Sequence, residues 1–197
     1  VETVRRGLEP ALVGRRITRV ELRRKDLRFP FPARFAERLT GVRVDSLTRR
    51  AKYILGHLDS CETLILHLGM TGRFSIIRPD GETANLGEFY FETGGEGPHD
   101  HVVFHLEDKT RIVYSDPRRF GVMDLATRDE GESHKLLKDI GVEPLGNQLS
   151  ATYLADAFRG KKAPLKAALL DQCIIAGLGN IYVCEALHRA RLSPKRK

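Results

Sequence analysis

A dense series of short strand patterns is the feature that most restricts how this chain can fold. Each segment is rich in leucine, β-branched and aromatic residues, and Gly, Pro or Asp separates most segments from the next. A series of this kind with few intervening helices is typical of a β-sandwich or a β-barrel. The predicted strands cover residues 17–22, 42–47, 53–58, 63–68, 73–77, 88–92, 102–106, 111–114 and 121–125.

The pattern changes to helical periodicity in the last third of the chain. Residues 133–140 and 150–159 carry apolar side chains at helical spacing, and a glycine follows each segment. Two shorter helices are predicted earlier, over residues 1–8 and 32–40. The chain therefore divides near residues 125–130 into a mainly β part and an α part.

A glycine-rich turn at residues 177–182, Gly-Leu-Gly-Asn-Ile-Tyr, joins two further helical patterns. Pro164 opens the first helix, and Asn180 is predicted to cap the second, over residues 181–190. The free N–H groups at the start of such a helix form a phosphate site. A helical hairpin with a glycine turn explains these residues equally well, but residues 161–197 carry 8 Lys/Arg against 2 Asp/Glu, which favours a polyphosphate partner.

The charge of the whole chain also indicates nucleic acid. Its 33 Lys/Arg and 26 Asp/Glu give a net charge of +7, and residues 1–52 alone carry 15 basic and 6 acidic side chains. A ribosomal or other RNA-binding protein stays open as an alternative. With 41% hydrophobic residues the chain can build a core, so it is not a disordered basic tail.

Cysteine usage and hydropathy exclude other classes. The three cysteines form no Cys-x-x-Cys pair, which argues against a disulfide framework and against a metal site within this chain. We see neither a signal peptide nor a run of 18 apolar residues. We therefore expect no membrane partner and a cytoplasmic location.

Residues 49–53, Arg-Arg-Ala-Lys-Tyr, place Lys52 beside cationic neighbours at the start of a strand. Such neighbours lower the pKa of a lysine and make it available for proton transfer or phosphate contact. A solvated basic turn is the alternative interpretation.

Two further turns carry side chains that suit a stacked base. Met70 lies in a glycine-flanked turn, and residues 116–121, Asp-Pro-Arg-Arg-Phe-Gly, present Arg118 and Phe120 together. An apolar tip can enter a base stack, and arginine can contact a base edge or a phosphate. The alternatives are that Met70 fills a gap in the core and that Phe120 lies within the sandwich.

The sequence His-Asp-His at residues 99–101 resembles a metal-binding pair. Alternate residues on a strand point to opposite faces, so a metal site is not expected there. One histidine in contact with a phosphate is the more natural interpretation.

Taken together, these motifs resemble bacterial formamidopyrimidine-DNA glycosylase. They occur in the family's order and span nearly the whole chain. The motifs are residues 1–8 (Val-Glu-Thr-Val-Arg-Arg-Gly-Leu), 50–53 (Arg-Ala-Lys-Tyr), 67–70 (His-Leu-Gly-Met), 99–102 (His-Asp-His-Val), 116–121 (Asp-Pro-Arg-Arg-Phe-Gly) and 177–182.

The resemblance implies a bifunctional base-excision repair enzyme. Such an enzyme removes oxidised purines, such as 8-oxoguanine and formamidopyrimidines, and cuts the abasic strand by β,δ-elimination. The implied fold is α+β: a β-sandwich with flanking helices over residues 1–126, then an all-α helix–two-turn–helix domain over residues 127–197. Damaged double-stranded DNA would lie between the two domains, and we expect a monomer.

The resemblance also assigns roles to individual residues. Lys52 matches the lysine of proton transfer and phosphate contact. His99, Arg118, Lys161 and Asn180 match DNA-binding positions. The side chains that fill the void left by a flipped-out nucleotide match Met70, Arg118 and Phe120.

The match departs from the family at both ends. The family has Pro-Glu-Leu-Pro-Glu before the motif that starts at Val1; the proline is the Schiff-base nucleophile and the glutamate after it is the acid/base. The family also ends in a four-cysteine zinc finger, so one zinc ion is expected in the full-length protein and none within this chain. We expect the chain itself to bind DNA weakly and to excise little.

Two alternatives stay open beside the RNA-binding one. The sister endonuclease for oxidised pyrimidines shares much of the pattern, although residues 1–8 and the set Met70, Arg118 and Phe120 favour the purine-specific branch. A non-catalytic DNA-binding module is the alternative from another functional class.

Overall fold

The computed structural model describes residues 1–86 and 97–196. The chain forms two compact units, and one short segment from the first part of the sequence belongs to the second unit. The sequence predicts domains over residues 1–126 and 127–197, whereas residues 50–52 group with the second unit. The first unit comprises Val1–Arg49 and Tyr53–Gly131, and the second comprises Arg50–Lys52 and Glu132–Lys197.

The first unit is mainly β-structure with two helices among its described residues. Its elements are α1 (Glu2–Leu12), β1 (Ile17–Leu22), α2 (Phe35–Leu39), β2 (Val44–Arg50, whose last residue groups with the second unit), β3 (Tyr53–Leu58), β4 (Thr63–His67), β5 (Arg73–Ile77), β6 (Thr83–Leu86), β7 (Asp100–Leu106), β8 (Arg111–Ser115) and β9 (Val122–Ala126). A short 3₁₀ helix at Gly131–Ser133 follows.

The strands form two sheets. One has the order β1-β7-β8-β5-β6, and each neighbouring pair in it is antiparallel. The other has the order β2-β3-β4-β9, with β4 antiparallel to both of its neighbours. The predicted α+β fold class is confirmed.

Side chains of both sheets, of α1 and of α2 share one hydrophobic core. Leu8 of α1 is 1% exposed and Leu39 of α2 is fully buried. Burial of a large aliphatic side chain contributes about 1.5–3 kcal/mol, so these helices are stabilised by their packing rather than by intrinsic propensity. The largest fully buried side chains of the strands in this core are Ile17, Ile54, Leu64, Phe74, Ile112 and Tyr114.

Two helix boundaries in the first unit differ from the sequence prediction. Pro10 predicts an end at Leu8, but α1 continues to Leu12. Pro10 is solvent-exposed, and burial of Leu12 offsets the hydrogen bond that proline cannot donate. Helix α2 begins at Phe35, because Arg34 before it adopts a left-handed conformation with φ 57°.

The strand predictions agree with the structure to within three residues at each end where they can be compared. Strand β6 (Thr83–Leu86) is an additional element that the sequence analysis did not predict. The predicted strand at residues 88–92 lies outside the described residues.

The second unit is helical. Its helices are α3 (Ala151–Phe158), α4 (Leu165–Leu170) and α5 (Asn180–Arg189). Helix α3 confirms the helical pattern predicted over residues 150–159, and Ser150 caps it by accepting a hydrogen bond from the Tyr153 amide at 3.1 Å.

The predicted helix over residues 133–140 is wrong. The segment forms isolated turns, such as the Leu137 amide bonded to the His134 carbonyl at 2.8 Å. Leu137 is buried, but Leu136 and Ile140 are only half-buried, so no apolar stripe is covered along the segment. A short helix without such a stripe is marginal in water.

No helix within residues 1–86 and 97–196 has the length and apolar character needed to cross a lipid bilayer.

Replacing Leu39 with alanine should lower the free energy of unfolding by about 2–5 kcal/mol, because it leaves a cavity in the core of the first unit. Urea-induced unfolding followed by circular dichroism measures the change. Leu145→Ala is the matched control, since Leu145 is 95% exposed and its truncation should change stability by less than about 0.5 kcal/mol. Equal effects of the two substitutions would contradict the assigned core.

Candidate nucleic-acid interface

The turn at residues 68–72, here called the Met70 turn, joins β4 to β5. Met70 at its tip is 68% exposed, so it does not fill a gap in the core. The Gly72 amide donates to the Leu68 carbonyl at 2.9 Å and closes the turn. Gly69 has φ +64°, and a Cβ atom there would lie 2.5 Å from the carbonyl carbon of Phe120. Glycine at this position therefore lets the turn contact the backbone of Phe120 directly.

The loop at residues 116–121, here called the Arg118 turn, joins β8 to β9. Phe120 is 41% exposed, which contradicts the alternative that it lies within the sandwich. The Arg118 guanidinium carbon is 4.6 Å from the centroid of the Phe120 ring, a cation–π contact. Because the Met70 turn contacts this loop, the structure brings Met70, Arg118 and Phe120 together.

His99 and His101 have different environments. His99 is exposed, and its carbonyl accepts a hydrogen bond from the Asp116 amide at 3.0 Å. His101 is 3% exposed, and its Nε2 lies 2.8 Å from the Asp116 carbonyl oxygen. Of the two histidines, His99 is thus the one that a ligand in solvent can reach. Residues 1–86 and 97–196 contain no group of three or more His, Cys, Asp or Glu side chains that could hold a metal ion.

Lys52 lies against the glycine turn of the second unit. It is half-buried, and its Nζ donates to the Leu178 carbonyl at 3.3 Å. Burial lowers the pKa of its ammonium group. The direction of the shift agrees with the sequence analysis, but the cause is desolvation rather than neighbouring cations.

The segment that carries Lys52 is fixed by ionic and backbone contacts, so it is not a solvated basic turn. The Arg50 guanidinium donates to Glu143 at 3.0 Å and to the carbonyls of Ile140 and Gly141 at 2.8 and 2.7 Å. Glu143 also accepts from the Ala51 amide at 2.7 Å. Sequence reasoning missed Glu143, because a lone glutamate in a turn gives no signal of a distant partner.

The side chain of Gln172 forms two hydrogen bonds with the backbone of the glycine turn at residues 177–182. The Gln172 amide oxygen accepts from the Gly177 amide at 3.0 Å, and its nitrogen donates to the Leu178 carbonyl at 2.9 Å. Gly177 has φ +73°, and a Cβ atom there would lie 3.3 Å from the Cα atom of Ala51. The turn and the Lys52 segment are therefore in direct contact.

Helix α5 begins at the end of this turn. Gly179, not Asn180, is its N-cap residue, so the predicted capping role of Asn180 is wrong. The Asn180 side chain is exposed, and its Oδ1 accepts a weak hydrogen bond from the Cys184 thiol at 3.7 Å. Ile181 and Tyr182 beside it are 76% and 73% exposed, so the first turn of α5, whose amides lack partners within the helix, lies at the surface.

Lys161 lies elsewhere on the second unit. It is exposed, and its Nζ is 3.6 Å from Asp171 Oδ2. An ion pair at the surface contributes little to stability. The Lys161 ammonium group can therefore leave Asp171 and bind another anion, such as a phosphate.

Comparison with protein-family models gives two matches that together cover most of the chain. Residues 1–123 match the formamidopyrimidine-DNA glycosylase N-terminal domain, and residues 140–197 match the formamidopyrimidine-DNA glycosylase H2TH domain.

Curated relatives agree with these matches. The chain is 61% identical over 196 residues to a formamidopyrimidine-DNA glycosylase of Methylobacterium sp. (strain 4-46), and 59% identical to that of Methylobacterium nodulans. Each alignment covers 99% of this chain and 66% of the relative, so the chain spans about two thirds of their length.

Solved structures show the same similarity. The Lactococcus lactis Fpg in complex with DNA containing an abasic site superposes with a TM-score of 0.84 at 29% identity, and the match covers 100% of this chain and 67% of that one. The Lactococcus lactis Fpg bound to DNA containing N7-benzyl-Fapy-dG gives the same TM-score and covers 68% of that chain.

The Lys52 ammonium group should titrate below the range of a lysine in a model peptide, because its burial disfavours the charged form. Reductive ¹³C-methylation followed by an NMR pH titration measures this, with Lys52→Arg used to assign the signal. In urea, where the chain is unfolded, the pKa measured from the same signal should return to the range of an exposed lysine. A native-state pKa equal to the unfolded one would contradict the burial of this amine.

Proposed function

Since the chain belongs to the formamidopyrimidine-DNA glycosylase family, we propose that it carries the DNA-recognition residues of a base-excision repair enzyme. The enzyme excises oxidised purines, such as 8-oxoguanine and formamidopyrimidines, from duplex DNA and then cuts the abasic strand. The observation that carries this proposal is the contact between the Met70 turn and the Arg118 turn, which presents three different side chains at one exposed place.

The first unit would support the DNA after the damaged nucleotide has left the stack. An enzyme that acts on a base must extrude it, and the vacated space destabilises the duplex. Met70 and Phe120 offer apolar surface to the neighbouring bases, and Arg118 offers hydrogen-bond donors to the unpaired base. His99, whose side chain is exposed, would contact a phosphate.

The second unit would hold the sugar–phosphate backbone. The exposed first turn of α5 supplies amide donors and a favourable dipole for a phosphate, and Asn180 adds its side-chain amide there. Lys52 lies against the same glycine turn, so it would contact the same stretch of backbone. Lys161 would add a further phosphate contact.

Lys52 would also take part in the chemistry. In the family that the sequence resembles, a proline amine attacks the sugar C1′ to form a Schiff base, and elimination then needs proton transfers. The resemblance places that proline before the position of Val1, so the nucleophilic step is not assigned to a residue of this chain. Because burial lowers the pKa of Lys52, its amine is neutral in a larger fraction of molecules and can accept a proton.

Three further features belong to the same proposal. A zinc ion in the full-length protein would be held by the cysteines of a C-terminal finger, and no step above depends on it. The protein would act as a monomer. It would lie in the bacterial cytoplasm, in association with the nucleoid, because its substrate is chromosomal DNA.

Phe120→Ala should weaken binding to a duplex with an abasic analogue by about 1–3 kcal/mol, because the ring would no longer stack in the vacated space. Binding to the undamaged duplex should change little. Fluorescence anisotropy at low salt measures both affinities. Unchanged binding to the damaged duplex would remove Phe120 from the interface.

Asn180→Ala should weaken binding to damaged and undamaged duplexes alike, since a phosphate contact carries no information about the lesion. The same anisotropy titration tests this, with Asn85→Ala as a control in the first unit. A loss confined to damaged DNA would contradict the phosphate role.

The substrate class is tested by a lesion panel. The protein is the chain with Pro-Glu-Leu-Pro-Glu in front and, behind it, the four-cysteine zinc finger that the resemblance implies. Excision of 8-oxoguanine in preference to thymine glycol is the expected result. Excision of thymine glycol alone would identify the sister endonuclease for oxidised pyrimidines instead.

A further inference from the structure

A single buried carboxylate connects the loops that carry the exposed interface residues of the first unit. Asp116 is 0% exposed. It opens the Arg118 turn, and its side chain reaches the Met70 turn. Its backbone amide donates to the carbonyl of His99 at 3.0 Å. Asp116 is therefore in contact with all three segments that present candidate DNA-binding side chains in this unit.

The two carboxylate oxygens have different partners. Oδ2 accepts hydrogen bonds from the Gly121 amide at 2.8 Å and from the Tyr114 hydroxyl at 3.2 Å. Oδ1 accepts one from the Thr71 hydroxyl of the Met70 turn. Among the described residues no Lys or Arg forms an ion pair with Asp116, so neutral donors hold this charge.

Thr71 continues the connection to Arg118. Its hydroxyl group donates to Asp116, and its oxygen accepts a hydrogen bond from the Arg118 amide at 3.3 Å. The Met70 turn thus reaches the Arg118 backbone through one hydroxyl group. Valine at residue 71 would have nearly the same shape but could neither donate nor accept.

The surrounding backbone leaves little room for another arrangement. A Cβ atom at Gly121 would lie 1.8 Å from the Tyr114 hydroxyl, and one at Gly72 would lie 2.2 Å from the Leu68 carbonyl oxygen. Both turns therefore close tightly around the carboxylate. The exposed side chains of Met70 and Phe120 project from this closely packed base.

We propose that Asp116 is a positioning residue, which through Thr71 fixes Met70, Arg118 and Phe120 in the arrangement that fills a gap in a base stack. The inference rests on the proposed function. Asp116 does not touch DNA; it orders the side chains that do. Ordering them before binding reduces the conformational entropy lost when they enter the duplex.

The test compares Thr71→Val, which removes the hydroxyl, with Thr71→Ser, which keeps it. Thr48→Val is the matched control, because the Thr48 hydroxyl bonds His57 on another strand. The ligand is a duplex with a tetrahydrofuran abasic analogue and 2-aminopurine opposite it. Fluorescence of 2-aminopurine reports the filling of the gap, anisotropy reports affinity, and thermal melting reports folding.

We expect Thr71→Val to reduce the preference for the abasic over the undamaged duplex by about three- to ten-fold, the equivalent of one hydrogen bond, and to reduce the fluorescence change. Thr71→Ser should restore both, and Thr48→Val should change neither. Asp116→Asn, which replaces one acceptor with a donor, should have the same effect as Thr71→Val.

A double-mutant cycle separates positioning from general stability. If Thr71 acts through Phe120, then Thr71→Val should have a much smaller effect in a Phe120→Ala background. Full additivity, or a folded Thr71→Val protein with unaltered preference and fluorescence, would overturn the positioning role. If the unmutated chain did not prefer the abasic duplex at all, the proposed function would fail and the inference with it.

Discussion

The hydrogen bonds of the buried Asp116 carboxylate join the Met70 turn to the Arg118 turn, and the arrangement of these two turns depends on them. A charge removed from water must be compensated, and here two hydroxyl groups and a backbone amide provide the compensation. Those donors belong to different segments of the chain. The hydrogen bonds to the Asp116 carboxylate therefore fix the relative position of the two turns. Met70 and Phe120 can stay exposed at the tips of these turns, because the position of the turns does not depend on burying those side chains.

In the second unit, too, charged side chains hold the backbone in place, here the ion pair between Arg50 and Glu143. Glu143 accepts from Arg50 and from the Ala51 amide, and Arg50 in turn donates to two carbonyl groups. These contacts hold Lys52 against the glycine turn that Gln172 braces. Polar side chains hold the backbone in both units: a buried one in the first and half-buried ones in the second. The side chains proposed to contact DNA extend from these segments.

The sequence predicts the regular elements better than the connections between them. Strands such as β3 and β5 follow from short runs of leucine, β-branched and aromatic residues between turn residues, which are a local signal. The segment at residues 133–140 has a helical pattern but no covering surface, and only tertiary structure could show that. Met70 and Phe120 could be selected from their turns, whereas Asp116, Thr71 and Glu143 could not, because their partners are distant along the chain. Lys52 was predicted with a lowered pKa, yet burial and not its arginine neighbours causes the shift.

Borohydride trapping on a duplex with 8-oxoguanine opposite cytosine tests the central claim most directly, because it captures a Schiff base between protein and DNA. Two proteins are compared: residues 1–197, and the same chain extended by Pro-Glu-Leu-Pro-Glu in front and a zinc finger behind. The account predicts a covalent complex with the extended protein only, because the nucleophile is assigned to the added proline. No complex with the extended, folded protein would contradict the glycosylase assignment, and an efficient complex with residues 1–197 alone would contradict the assigned nucleophile.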